Sequence, residues 1–210
     1  MKLGFRTTAV LIVCGVFLIF FEGKGVITAF MPAQMLYAED CDWTKLKNGQ
    51  RVYADVDFVF SPLGVYTDKN DNETSAIYAF PDIKFEEDGS SHIDHYLGIS
   101  VPSCSFDVYD AIVDASVDWW NDTTGEVEWA GAGIDSYDGY LRKMSSKEKG
   151  FLSDYLKDWN YSDSQIEEAI VPYVLMKNQT PVANIAMFVG GIIAFIAGIA
   201  VTVLSFVFKK

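Results

Sequence analysis

The chain has 210 residues, 50% of them apolar, and carries 29 acidic against 16 basic side chains, a net charge of −13. That length holds one modest folded domain plus membrane segments. The negative balance excludes nucleic acid as a natural partner, because a field of this sign repels a phosphate backbone.

The charge is segregated along the chain. Residues 39–182 hold 28 acidic and 11 basic side chains, whereas Lys2, Arg6, Lys24, Lys209 and Lys210 belong to the two ends. Thr7 to Phe21 is a run of 15 apolar or small residues behind Lys2 and Arg6. Such a layout suits a cleaved signal peptide or a first membrane span. A cleavage site should follow the run closely, yet Glu22-Gly23-Lys24-Gly25 comes next and the best small-residue site, Ala38, lies far downstream. The spacing therefore predicts an uncleaved span over residues 1–30. Cys14 reads as a small helix residue within it. Residues 31–41, broken by Pro32, are expected as an interfacial linker.

The next segment, residues 42–178, predicts an acidic α+β domain. Val52, Ala54, Val56, Phe58 and Phe60 alternate with Arg51, Tyr53, Asp55, Asp57 and Val59, the period of a strand with one buried face. Ser75 to Phe80 reads as a second strand stopped by Pro81, and Tyr96 to Val101 as a third, after a turn over Glu86 to Ser91. From Pro102 a helix follows, with Phe106, Tyr109, Ile112, Val113, Val117 and Trp120 on one side. Glu126 to Ile134 and Gly139 to Met144 predict further strands. Ser145 with Glu148, and Ser162 with Gln165, are capping boxes that start two more helices. Pro172 stops the second of these, and Tyr173 to Met176 predicts a last strand. Strands come mainly first and helices later, so a mainly antiparallel sheet with about three helices is expected rather than a wound parallel sheet.

Several groups invite a chemical reading. Cys41 and Cys104 are the cysteines outside the apolar runs, and an outer location permits a disulfide between them; two separate thiols are the alternative. Asp107, Asp110, Asp114 and Asp118 share one helix face, where like charges at this spacing repel. That face is either simply solvated or meets a basic partner. Asp68 to Glu73 resembles the start of a calcium loop, but Glu73 stands where glycine is required and Ala79 where a bidentate Glu is required. His92 and His95 are the two histidines, and alternation along a strand would point them to opposite faces, against a shared zinc ion. Asn72, Asn121, Asn160 and Asn178 begin N-x-[ST] sequons. No nucleophile, metalloprotease or phosphate-loop motif is present, so no catalytic residue and no cofactor is assigned.

Ala183 to Phe208 is an apolar run of 26 residues without Asp, Glu, Lys or Arg, closed by Lys209 and Lys210. As a helix it would extend about 39 Å, against about 30 Å of bilayer hydrocarbon. Ala186, Gly190, Ala194, Gly198 and Thr202 recur every four residues and predict a close-packing groove on one face. Basic flanks mark the cytoplasmic side, so both ends are expected in the cytoplasm and the acidic domain outside.

The Asp42-Trp43-Thr44-Lys45-Leu46-Lys47-Asn48-Gly49 segment, the strand Val52–Phe58 and the Lys143–Tyr173 block, with a span at each end, carry a resemblance. On them the chain resembles a family of uncharacterised two-span membrane proteins of Gram-positive bacteria. The layout also looks like that of the membrane-anchored ubiquitin ligases of mitochondria, without their catalytic RING domain. Neither resemblance implies a functional residue. The expected function is a non-enzymatic membrane protein whose partners are the lipid bilayer and another protein, either a copy of itself or a membrane complex. An accessory subunit docked through the last span, or an envelope enzyme using carboxylates or a metal, are the alternatives.

Overall fold

Alternating apolar residues build the sheet of this protein, and two capping boxes build much of its cover. The computed structural model describes residues 5–38, 41–87, 89–122, 124, 135–177 and 182–207. The chain divides into two units: Met1–Met31 with Asn178–Lys210, and Pro32–Lys177.

The second unit is α+β. Its strands are β1 (Gln34–Met35), β2 (Arg51–Val56), β3 (Phe60–Thr67), β4 (Glu73–Phe85), β5 (Ser91–Pro102), β6 (Asp135–Lys143) and β7 (Ile170–Lys177). They form one mixed sheet of order β1-β2-β6-β7-β5-β4-β3. The β1–β2 and β5–β7 pairs are parallel and the other four antiparallel. Only Asp57, Phe58 and Val59 separate β2 from β3, a reach of about 14 Å between Val56 and Phe60. In a flat sheet of this order the two strands would stand about 24 Å apart. The sheet is therefore coiled, bringing its two ends together.

This closure corrects the single long strand expected over residues 51–60. The chain breaks at Asp57 and switches layers, so that Val59, expected outside, is buried. One layer of the core gathers Trp43, Val52, Val56, Val59, Tyr78, Phe80, Leu97, Ile99, Tyr137 and Leu175. The other gathers Phe58, Phe60, Ile77, Ala79, Tyr96, Leu152, Leu156, Ile166 and Val174. Helix α2 (Phe106–Asn121) buries Tyr109, Ile112 and Ser116. The Ser116 hydroxyl accepts the Val59 N–H at 3.2 Å, fixing the β2–β3 switch. Helices α3 (Ser146–Asp158) and α4 (Asp163–Ala169) begin at the two expected capping boxes and cover the second layer. The strand expected over Glu126 to Ile134 lies outside the described residues.

Two further expectations change. Of residues 31–41, expected as a linker, 32–38 and Cys41 belong to the domain unit. Gln34–Met35 pairs with β2, the Leu36 N–H donates to the Tyr53 carbonyl at 3.0 Å, and Leu36 is buried against Trp43, whose Nε1–H donates to the Leu36 carbonyl at 2.9 Å. Nor does Pro81 end β4. The β3 partner stops pairing at Ala79, so beyond it β4 is an edge on that side and tolerates a residue with no N–H.

The first unit holds two helices, α1 (Phe5–Phe30) and α5 (Val182–Val207). They pack through glycines. A Cβ added at Gly15 would lie 2.8 Å from the Gly191 carbonyl oxygen, and one added at Gly191 would lie 2.8 Å from the Leu18 Cβ. Among the described residues one helix is long and apolar enough to cross a membrane, the Ile185–Leu204 stretch of α5, with mean hydropathy 2.5; the apolar part of α1, Thr8–Phe21, is shorter.

Candidate functional site

The far end of the β4–β5 hairpin gathers both histidines of the chain and three carboxylates. Asp82 on β4 stands directly opposite His95 on β5, and Ile83 opposite Ile93. Asp94 is therefore the extra residue of a β-bulge. A bulge breaks the two-residue alternation of a strand and re-aims side chains. The expectation that His92 and His95 point apart rested on that alternation. Instead, the ligand atoms of Asp82, Asp94 and His95 all lie within 4.8 Å of one another.

Their contacts are specific. His95 Nδ1 lies 3.4 Å from Asp82 Oδ2. The Lys84 ammonium lies 2.9 Å from Asp82 Oδ1. His92 bridges two acids, with Nε2 3.1 Å from Asp94 Oδ1 and Nδ1 3.3 Å from Glu86 Oε1. The Asp82 side chain is only 3% exposed, and its Oδ1, although in ion-pair range of Lys84, accepts no hydrogen bond. Beside it, the Tyr37 hydroxyl donates to the Pro81 carbonyl at 2.9 Å. Burial of that hydroxyl, and then the Asp57 and Asp82 carboxylates, push its pKa well above the ordinary value, so Tyr37 stays a donor. Asp82 has a faint signal in sequence: an acid continuing the buried period of Tyr78 and Phe80 past Pro81.

A second polar cluster sits at the start of α3. Glu148, 3% exposed, takes two hydrogen bonds from Arg142 and one from the Tyr66 hydroxyl at 2.6 Å, and it closes the Ser145 capping box. Burial alone would raise its pKa, but Arg142, Tyr66 and Ser145 outweigh it and hold the carboxyl down at about 2. Burial, and then Glu148, push Tyr66 up to about 12. Every group here is satisfied, which marks a structural anchor rather than a reacting centre.

A family model described as Domain of unknown function (DUF8577) matches residues 2–209. The chain belongs to this family. No curated protein and no solved structure matches it. The DUF8577 match includes both long helices as well as the α+β domain.

The sequence-predicted site residues fall as follows. Cys41 and Cys104 are not bridged: Cys41 is buried in the core, while Cys104 is exposed in the turn that opens α2. Of the two alternatives the sequence left open, a disulfide or two separate thiols, the structure has the second, with the two in different environments. Asp107, Asp110, Asp114 and Asp118 are all exposed on α2. Asp110 accepts the Tyr78 hydroxyl at 2.8 Å. Among the described residues no cation pairs with Asp107, Asp114 or Asp118. The Asp68 loop is a hairpin turn in which Asp68 Oδ1 accepts the N–H groups of Asn70 and Asn72 at 2.7 and 3.1 Å. Asn72, Asn121 and Asn160 are exposed; Asn178 lies outside the described residues.

The small-residue groove of α5 is also corrected. A Cβ at Gly198 would meet Ile12 at 2.6 Å, so Gly198 does face α1, and Thr202 is half-buried, with its hydroxyl turned back to the Gly198 carbonyl at 2.8 Å. Ala194 is half-buried as well. Ala186 and Gly190, however, are exposed, and Gly191 makes the close approach instead. A strict four-residue repeat drifts around a helix of 3.6 residues per turn. The packed face alternates steps of three and four: Phe188, Gly191, Phe195, Gly198.

Proposed function

We propose that this DUF8577 chain is an integral membrane protein that holds an acidic α+β domain at the outer face of the membrane, where it acts by binding protein rather than by catalysis. The observation that carries the reading is α5. Its 20-residue stretch Ile185–Leu204 has mean hydropathy 2.5, yet only 11% of its most apolar window is buried by the rest of the protein. Ile193, Ile196 and Val203 are 63%, 59% and 53% exposed. A helix apolar all round and left mostly uncovered by protein is at home in lipid.

The glycine contacts with α5 support α1 as a second, short span, completed by thinning of the bilayer or snorkelling of its flanks. Lys2 and Arg6 at one end, and Lys209 and Lys210 at the other, favour both ends in the cytoplasm. Asp107, Asp114 and Asp118, with which no cation pairs among the described residues, favour a basic protein surface as the partner, on another copy or on a membrane complex. Alkaline washing of membranes should leave the chain in the pellet and detergent should release it. Crosslinking in cells before release should then give a dimer or a mixed adduct. Release by alkali contradicts the membrane reading; a lone monomer after efficient crosslinking contradicts the binding reading.

A further inference from the structure

The geometry points to a divalent transition-metal site at the β4–β5 bulge, with Asp82, Asp94 and His95 as ligands. Three observations converge on it. First, the donor set is mixed: an imidazole nitrogen with two carboxylates suits Zn²⁺ and its neighbours, whereas Ca²⁺ takes oxygen ligands in larger number. Second, the spacing is near that of a bound ion. Zinc bonds of 2.0–2.1 Å set tetrahedral ligands about 3.3 Å apart, and Asp82 Oδ2 and His95 Nδ1 are already 3.4 Å apart. Asp94 lies within 4.8 Å of both and is exposed, so rotation of its side chain completes the set.

Third, Asp82 is a carboxylate kept out of water, with one oxygen accepting no hydrogen bond. A buried acceptor left in that condition is costly unless a positive charge faces it. In the metal-free protein that charge is the Lys84 ammonium at 2.9 Å. Lys84 is itself 42% exposed, so its ammonium can withdraw into solvent. It acts as a resident competitor: a metal ion entering the site displaces it as the positive charge that faces the Asp82 carboxylate.

The surroundings resemble those of known metal ligands. His92 holds Asp94 at 3.1 Å and is held in turn by Glu86 at 3.3 Å. Carboxylate and imidazole partners of this kind orient ligands and tune affinity. His92 is a positioning residue, not a ligand. The bulge supplies what alternation denied, since without the extra residue Asp94 and His95, adjacent in sequence, would face opposite sides of the sheet. Three protein ligands leave at least one coordination position open, and Asp94 and His95 place it at the surface. There a water, or an acidic or histidine side chain of a partner, completes the shell. The site thus extends the binding reading without depending on the membrane assignment.

The test is titration of ZnCl₂ into the chelator-washed full chain in detergent micelles, followed by calorimetry. One ion should bind per chain. His95→Gln and Asp82→Asn should each weaken it by at least about tenfold, and His92→Asn by a smaller factor. Lys84→Met should strengthen binding several-fold, a gain that loss of folding cannot mimic. An excess of CaCl₂ should not displace the zinc. Should Asp82→Asn fail to fold by circular dichroism, His95→Gln and Lys84→Met carry the decision. Zinc binding that is absent, that survives His95→Gln unchanged, or that is indifferent to Lys84→Met overturns the site and leaves an ordinary Asp82–Lys84 ion pair.

Discussion

The two units of this chain solve opposite solvent problems with similar residues. In the α+β domain Leu97, Ile99, Leu152 and Leu156 are all 0% exposed, and the surface is acidic. In α5 many aliphatic residues stand outward while two of the three glycines turn in: Ile193 is 63% exposed, whereas Gly191 and Gly198 are buried. The domain gains stability by removing apolar area from water. On the membrane reading proposed above, the helix pair would have no such gain to make in lipid and would depend on close backbone approach. One sequence thus carries two rules for which side chain belongs inside, and each unit is broken by a different substitution.

The largest difference concerns truncation. Leu97→Ala should destabilise the domain by about 3–4 kcal/mol, whereas Ile193→Ala should change it by less than about 0.5 kcal/mol. All five tryptophans lie between residues 43 and 159, so fluorescence during urea unfolding in detergent reads the domain selectively. Equal effects of the two changes would erase the distinction.

The next effect is electrostatic and belongs to the domain alone. The Glu148 carboxyl is held below its ordinary pKa of 4.5, at about 2. A depressed carboxylate contributes its full stability above the unfolded value and loses it as pH falls through the folded one. Domain stability should fall by about 3 kcal/mol between pH 4.5 and 2 on this account. Glu148→Gln should cost a similar amount at pH 7 and flatten that part of the profile. A variant with an unchanged acid profile would show that the pair with Arg142 contributes nothing.

A smaller effect separates neighbouring glycines. Gly191→Leu should weaken α1–α5 pairing by about 1–3 kcal/mol through overpacking, while Gly190→Leu, whose Cβ would meet nothing within 4 Å, should leave it intact. Crosslinking between cysteines introduced on the two helices distinguishes them, and both variants should leave domain fluorescence untouched. Last, reductant should not shift the Tm of the domain, since Cys41 and Cys104 are unbridged; a bridge would have contributed about 3–5 kcal/mol.

The domain class and most of its elements were legible because each carried its own local signal. Ser145 with Glu148 and Ser162 with Gln165 announced α3 and α4 to the residue, and the 3.6-residue spacing of Tyr109 and Ile112 announced α2. What sequence hid was non-local. Nothing near Gln34 says that it pairs with Val52, and Pro81 looked like a terminator because the point at which β3 stops pairing is invisible from β4. The bulge at Asp94 was hidden for the same reason: a register shift belongs to two strands at once. It is the feature that brings Asp82, Asp94 and His95 together, so the candidate metal site could not be read from the His92-Ile93-Asp94-His95 spacing. The helix face of α5 failed on a finer point, since repeats of four and of three-and-a-half diverge within two turns.

The central claim, a domain displayed outside a membrane that α5 crosses, has one direct test, and the chain carries its own reporter. Cys14 lies in the apolar stretch of α1 and Cys41 is buried, whereas Cys104 is exposed on the domain. A membrane-impermeant maleimide added to intact cells should label Cys104, with no further labelling after the membrane is permeabilised and none in Cys104→Ser. Labelling of Cys104 only after permeabilisation would contradict the account, because the acidic domain would then lie on the cytoplasmic side.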